Sequence, residues 1–150
     1  MVQETSIKVK IREPKTKNEF DQYYNLRWRI LRQHWNQPKG NEKDEKEKES
    51  IHLLVFDKDK IIGVGRGHFN TKTEAQIRYM AVEERFQGKG VGTKILETLE
   101  RKLIKKGART IILNARENAM KFYKKHNYKI IGKGHTLFGV IKHFKMRKEI

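Results

Sequence analysis

The residues of this chain whose types and spacing can do chemistry fall in two stretches. From Arg85 to Thr93 the chain reads Arg-Phe-Gln-Gly-Lys-Gly-Val-Gly-Thr, a glycine-rich turn opening an amphipathic helix. The first N–H groups of a helix have no intrahelical partner, and Gly88, Gly90 and Gly92 keep side chains away from them. Such a turn is an anion site. Two phosphate loops fail on spacing. A P-loop needs Lys-Ser/Thr directly after its last glycine, and Gly90 is followed by Val91 and Gly92. The dinucleotide fingerprint G-x-G-x-x-G does not fit either. The second stretch, Asn114 to Tyr128, carries two amides, Asn114 and Asn118, and a phenol, Tyr123. A phenol beside a leaving group is a general acid. Taken alone, Tyr123 reads better as a partly buried aromatic on a helix, and Asn118 equally well as a helix N-cap.

Composition narrows the classes of function. The 150 residues suit one domain, 1–150, large enough to bury a core without disulfides or metals. The chain has no cysteine, which removes a thiol nucleophile and thiolate metal sites; no metal site is expected. No apolar run reaches the length of a membrane span and no signal peptide is visible, so a soluble, cytoplasmic protein without a membrane partner is expected. The formal net charge is +17, and residues 101–150 carry fifteen Lys/Arg against only Glu117 and Glu149. That balance admits a nucleic-acid partner, but no nucleic-acid motif accompanies it, and a solvated lysine-rich surface explains it equally well.

The elements that must position these residues follow in order. Ile7–Ile11 alternates as a half-buried strand. Thr16-x-x-Glu19 is a capping box before a helix over 17–33, whose stripe Phe20, Tyr23 and Tyr24 reads as core. Residues 37–49 hold four Lys and five acids around Pro38 and Gly40, a solvated segment that reads as a mobile loop at its start or as a short solvated helix. Strands follow at 51–56, 61–69 and 76–82. Gly63, Gly65 and Gly67 share one face of the second of these, which makes room for a helix or ligand or marks a bulge. Val91, Ile95, Leu99 and Leu103 form the apolar face of a helix running to about Lys106, with Gly107 as its stop. A buried strand at 109–113, a short helix at 119–126 and strands at 128–131 and 137–146 complete the pattern. Residues 76–114 thus form a βαβ unit, with its ligand crevice at the carboxyl ends of the strands.

Two stretches together resemble one family. Arg/Gln-x-x-Gly-x-Gly after a strand ending in Ala81-Val82 is similar to the coenzyme A pyrophosphate loop of the GNAT N-acetyltransferases. Asn114-Ala115-x-x-x-Ala119-x-x-Phe122-Tyr123-x-Lys125-x-x-Tyr128 is similar to the stretch that follows the fifth strand there. The resemblance covers nearly the whole chain and points to a small bacterial or archaeal branch. It implies an α/β acyl-CoA N-acyltransferase fold, with a mixed sheet of six to seven strands flanked by about four helices. It implies acetyl-CoA as cosubstrate and a primary amine of a small molecule, peptide or protein as acceptor, attacking the thioester directly. Met80, Ala81 and Val82 would then present backbone groups to pantetheine. Arg85, Phe86, Gln87, Gly88, Lys89 and Gly90, with Val91, Gly92 and Thr93 opening the helix, would hold the pyrophosphate. Asn114 and Asn118 would bond the cofactor, and Tyr123 would protonate the leaving thiolate. A homodimer is compatible with the family. So is a non-catalytic acyl-CoA-binding module of the same fold.

The base is not legible. Gln76 stands where histone-acetylating relatives carry a glutamate, and an amide does not take a proton near neutral pH. Glu74, His52, His68 and His143 are the candidates, each also readable as a surface or core residue.

Overall fold

A computed structural model describes residues 8–150. Its centre is one seven-stranded sheet in the order β1-β2-β3-β4-β5-β7-β6. The strands are β1 (Lys10–Arg12), β2 (Ile51–Asp57), β3 (Lys60–Phe69), β4 (Glu74–Val82), β5 (Thr110–Arg116), β6 (Lys129–Leu137) and β7 (Ile141–Glu149). Only β4 and β5 pair in parallel; every other pairing is antiparallel. The helices are α1 (Lys17–Leu31), α2 (Val91–Lys105) and α3 (Met120–Lys125). Of the expected strand at 7–11, Ile7 lies outside the described residues and pairing begins at Lys10.

Local signals act as their chemistry dictates. Thr16 Oγ1 accepts the Glu19 N–H at 3.1 Å, while the Glu19 carboxylate reaches back to the Lys15 N–H at 2.7 Å and binds Arg12. The resemblance implies about four helices, and three α-helices form among the described residues. Between α1 and β2 the chain winds only into single 3-10 turns at Gln33–Trp35 and Glu47–Glu49, because Pro38 and Gly40 interrupt any longer helix.

The two faces of the sheet bury different things. Alternation along β2 sends Leu53 and Val55 to the α2 face and Leu54 and Phe56 to the α1 face. On the α2 face the glycine stripe of β3 receives the helix. A Cβ at Gly65 would lie 2.5 Å from Ile95 Cγ2, and one at Gly67 would lie 3.1 Å from Leu103 Cδ1. The room left by these glycines belongs to α2.

The α1 face holds buried charge. Arg27 and Arg66 are fully buried. Arg27 donates to Glu47 Oε2 (3.0 Å) and to the Tyr23 hydroxyl (2.7 Å). Arg66 donates to Asp44 Oδ1 (2.6 Å) and Glu47 Oε2 (2.7 Å), and Arg78 donates to Asp44 Oδ2 (2.7 Å). The acids come from the segment expected to be a solvated loop. That expectation is corrected: its carboxylates turn inward because two guanidiniums beneath them need charge partners. Burial opposes ionisation of Asp44, but hydrogen bonds from Arg66 and the Lys46 N–H, with the fields of Arg66 and Arg78, outweigh it and hold the carboxyl well below the usual range.

Candidate active site

The site is built by a break in the sheet. Strands β4 and β5 pair only from Glu74↔Thr110 to Gln76↔Ile112. Beyond Gln76 they separate, leaving the β5-facing backbone of the rest of β4 without a partner strand. The cause lies on the other edge of β4. Val64 pairs with Ala81 and Arg66 with Arg78, so Tyr79 and Met80 together oppose Gly65. This is a β-bulge, and Tyr79 takes φ 59°, the left-handed region that costs a side-chain-bearing residue about 1 kcal/mol or more. The guanidinium carbons of Arg27, Arg32, Arg66 and Arg78 lie 4.2–5.7 Å from the centre of its ring, an arrangement that favours this conformation. The extra residue reverses the parity of the strand. Ala75 and Ile77 belong to the α2-face core, yet Ala81 belongs to the α1-face core and Met80 packs on the α2 side.

The resulting cleft is lined from β4 by Gln76 to Met80, from β5 by Leu113 to Arg116, and from α3 by Tyr123. The end of α1 adds Leu31 and Arg32, and the last two strands add His135, Leu137 and His143. The Tyr123 hydroxyl donates to Met80 Sδ at 3.7 Å, a weak acceptor. Burial pushes its pKa up to about 12, so the phenol keeps its proton at neutral pH. Met80 and Asn114 line the same cleft, but Asn118 does not. Nor does Asn118 cap a helix: it sits in the 3-10 turn Glu117–Ala119, and the residue before α3 is Ala119, without a side-chain cap.

The glycine turn stands beyond the end of β4. Gly90, at φ 84°, precedes α2, and the first helical bond is Lys94 N–H to the Gly90 carbonyl at 3.2 Å. The N–H groups from Gly88 to Thr93 lie ahead of it and make no backbone hydrogen bond to any of the described residues. Gly88 has φ 76° and nothing within 4 Å of where a Cβ would stand. Arg85 and Gln87 are exposed, and Lys89 and Gly92 half-buried. Phe86 and Val91 are buried in the α2-face core, so only their backbone is available to a ligand. Gln87 Nε2 is held on the Val82 carbonyl (3.0 Å), and Thr93 Oγ1 lies 3.3 Å from His126 Nε2.

The structure also sorts the candidate bases. His52 has its Nε2 on the Glu47 carbonyl, an obligate acceptor, and its Nδ1 on the Tyr23 hydroxyl, both at 2.7 Å. His68 receives Arg66 at Nδ1 (3.0 Å) and has its Nε2 against Asn70 Oδ1 (3.1 Å). Neither ring has a nitrogen to spare. Glu74 Oε1 accepts from Asn70 and lies outside the cleft, while Gln76 lines it with Oε1 held by Asn70 at 3.0 Å. His143 alone of the four candidates lines the cleft. Its Nδ1 lies 3.0 Å from the Ile141 carbonyl, so that nitrogen carries the proton and Nε2 the lone pair. Burial, followed by the fields of His135 and Arg116, lowers its pKa. Sequence reading missed Arg32, Arg116 and His135, because no motif marks a side chain brought to a site by α1 or by the last two strands.

Comparison with known proteins now bears on this geometry. The Acetyltransferase (GNAT) family profile matches residues 20–128. The chain belongs to this family. It is 33% identical over 129 residues to the "Uncharacterized N-acetyltransferase YjcF" of Bacillus subtilis (strain 168), covering 86% of this chain and 91% of that one. It is 28% identical over 133 residues to the "Uncharacterized N-acetyltransferase YitI" of the same organism, covering 85% and 89%. In fold it is similar to a GNAT family acetyltransferase from Elizabethkingia anophelis with acetyl-CoA bound, at a TM-score of 0.79 and 16% identity over 95% of this chain and 98% of that one. The sheet and helices described above match the GNAT fold.

Proposed function

We propose that this protein is an acetyl-CoA-dependent N-acetyltransferase that moves the acetyl group directly to a primary amine. The observation that carries the reading is the splayed β4–β5 cleft, with unpaired helix N–H groups near one end and a protonated phenol inside it. Acetyl-CoA supplies the electrophile, a thioester carbonyl. The free N–H groups from Gly88 to Thr93 and the open space at Gly88 suit a pyrophosphate. Backbone groups of Met80, Ala81 and Val82 beyond the end of the β5 pairing suit the amides of pantetheine, the Val82 carbonyl itself being held by Gln87, and a β4 N–H suits the carbonyl oxygen. Asn114 adds an amide within the cleft.

In the step itself the amine nitrogen forms a bond to the carbonyl carbon as the carbon–sulfur bond breaks. Tyr123, which burial keeps protonated and whose hydroxyl points to the Met80 sulfur inside the cleft, gives its proton to the departing sulfur. His143 Nε2 takes the proton that the amine loses.

The test is thiol release from acetyl-CoA across a broad amine panel, with acetyl-CoA affinity measured separately. Turnover is expected. Gly88→Glu is expected to abolish cofactor binding, since it puts a charged side chain at a left-handed residue facing the anion. Tight cofactor binding without turnover of any amine favours the non-catalytic acyl-CoA-binding reading.

A further inference from the structure

The cleft is lined by two guanidiniums that form no ion pair with any carboxylate among the described residues. Five guanidiniums gather on the α1 side of the sheet and along the cleft: Arg27, Arg32, Arg66, Arg78 and Arg116. Three have carboxylate partners within 3.0 Å, supplied by Asp44 and Glu47. Arg32 and Arg116 have none among the described residues. Arg32 is 5% exposed, yet it donates only to the Asn41 carbonyl at 3.4 Å and the Leu31 carbonyl at 3.3 Å. Arg116 donates only to the Leu31 carbonyl, at 3.1 Å. The nearby buried acid, Glu42, uses Oε1 on the Gly40 N–H and reaches Arg32 only through its field, which burial of the guanidinium outweighs. Both arginines line the cleft with Tyr123 and His143, and among the described residues none that lines it is acidic.

Physical chemistry makes this arrangement costly without a ligand. A guanidinium does not deprotonate in proteins, and neutral carbonyls solvate its donors without cancelling its charge. Burial disfavours the charge on Arg32 and Arg116, and the field of Arg32 acts against Arg116 as well. The histidines beside them add no negative charge. A planar guanidinium with free donors suits the two oxygens of a carboxylate or phosphate.

We propose that the acceptor is a primary amine that also carries an oxyanion, a carboxylate or phosphate, seated on Arg32 and Arg116 while its amine faces His143 and Tyr123. This rests on the acetyltransferase reading and names the substrate class of that site. It excludes purely cationic polyamines as good acceptors, because the cleft repels them.

The experiment separates the two claims. Acetyl-CoA and CoA affinities are measured first by titration calorimetry; failure to bind either sinks the acetyltransferase reading, and this proposal with it. CoA-saturated protein is then titrated with matched probes, β-alanine against β-alaninamide and phosphoethanolamine against ethanolamine. Acetyl transfer to each is followed by thiol release. The oxyanion member of at least one pair is expected to bind and react at least about tenfold better than its neutral partner, and the preferred pair identifies carboxylate or phosphate. Arg32→Gln and Arg116→Gln are expected to remove that preference through KM while leaving CoA affinity nearly unchanged and the melting temperature no lower. Arg32→Lys is expected to keep part of it. Equal use of charged and neutral members, or no binding of any oxyanion probe to protein that binds CoA, overturns the proposal. So does a preference that survives both Gln variants. If the Gln variants instead lose CoA affinity, the arginines serve the cofactor and the proposal also fails.

Discussion

At the scale of single residues, the proposed reaction assigns the proton work to two side chains, and their surroundings give the reason. Tyr123 is held neutral by burial, its hydroxyl facing a thioether too weak to compete for the proton. Tyr123→Phe is expected to lower kcat by about 10²-fold or more, the usual worth of a positioned acid, with acetyl-CoA affinity little changed. Stopped-time thiol assays and calorimetry on the same preparation check both halves. For His143 the sign follows from burial and from the cations beside it. A pKa below the ordinary 6.5 keeps the ring neutral, and so basic, down to acid pH. With an acceptor amine of low pKa, the acid limb of kcat/KM is therefore expected below pH 6.5. In His143→Gln that limb is expected to disappear along with most of the rate. An unchanged profile would assign the proton to solvent.

At the scale of elements, the site depends on two irregularities of β-structure acting against each other. The bulge at Tyr79 and Met80 turns the end of β4 away from β5, and the glycine stripe of β3 lets α2 sit close enough to brace the opposite side. Gly65 takes part in both, since it faces the bulge and would place a Cβ 2.5 Å from Ile95. Gly65→Val is expected to destabilise the protein by about 1–3 kcal/mol, the range for overpacking a filled core. It should also loosen acetyl-CoA binding, because any retreat of α2 carries the glycine turn with it. Urea denaturation and calorimetry measure the two effects. A stability loss with unchanged cofactor affinity would show that helix and bulge are not coupled.

At the scale of the whole molecule, a highly basic chain spends several of its few acids on internal work. Asp44 and Glu47 are drawn from the segment between α1 and β2 to pair with Arg27, Arg66 and Arg78, and Arg78 is among the residues lining the cleft. Asp44→Asn is expected to destabilise the protein by about 1–3 kcal/mol, since Arg66 keeps Glu47 but loses its second charge partner. The folded carboxyl is held below its ordinary value, so its contribution is complete above that value and is lost as pH falls through the folded one. The difference between wild type and Asp44→Asn, read from urea midpoints, is expected to stay constant above about pH 5 and to shrink below about pH 4. A difference that grew with acid would contradict the ion-pair account. Among the described residues, no helix is long and apolar enough to cross a membrane.

Much of this was legible in the sequence, because much of it is local. Period-two runs marked the strands, the Thr16 capping box opened α1, and the spacing of Val91, Ile95, Leu99 and Leu103 fixed the inner face of α2. The glycine turn and the Asn114–Tyr128 stretch carried the family, since contiguous residues serve there as the ends of neighbouring elements. Long-range geometry decided the rest. No local signal shows that β4 gains a residue at Tyr79, because β3 across the ladder defines the bulge. Charge alone made residues 37–49 a solvated loop, and only the two buried guanidiniums under them reversed that. His143 separated from Glu74, His52 and His68 because the fold brings it alone of the four to the cleft, while both ring nitrogens of His52 and of His68 are already engaged. Composition gave a charge of +17 without a location, and the tertiary structure alone brought Arg32 and Arg116 unpaired into one cleft. Local patterning sets which elements form, and packing sets which side chains meet.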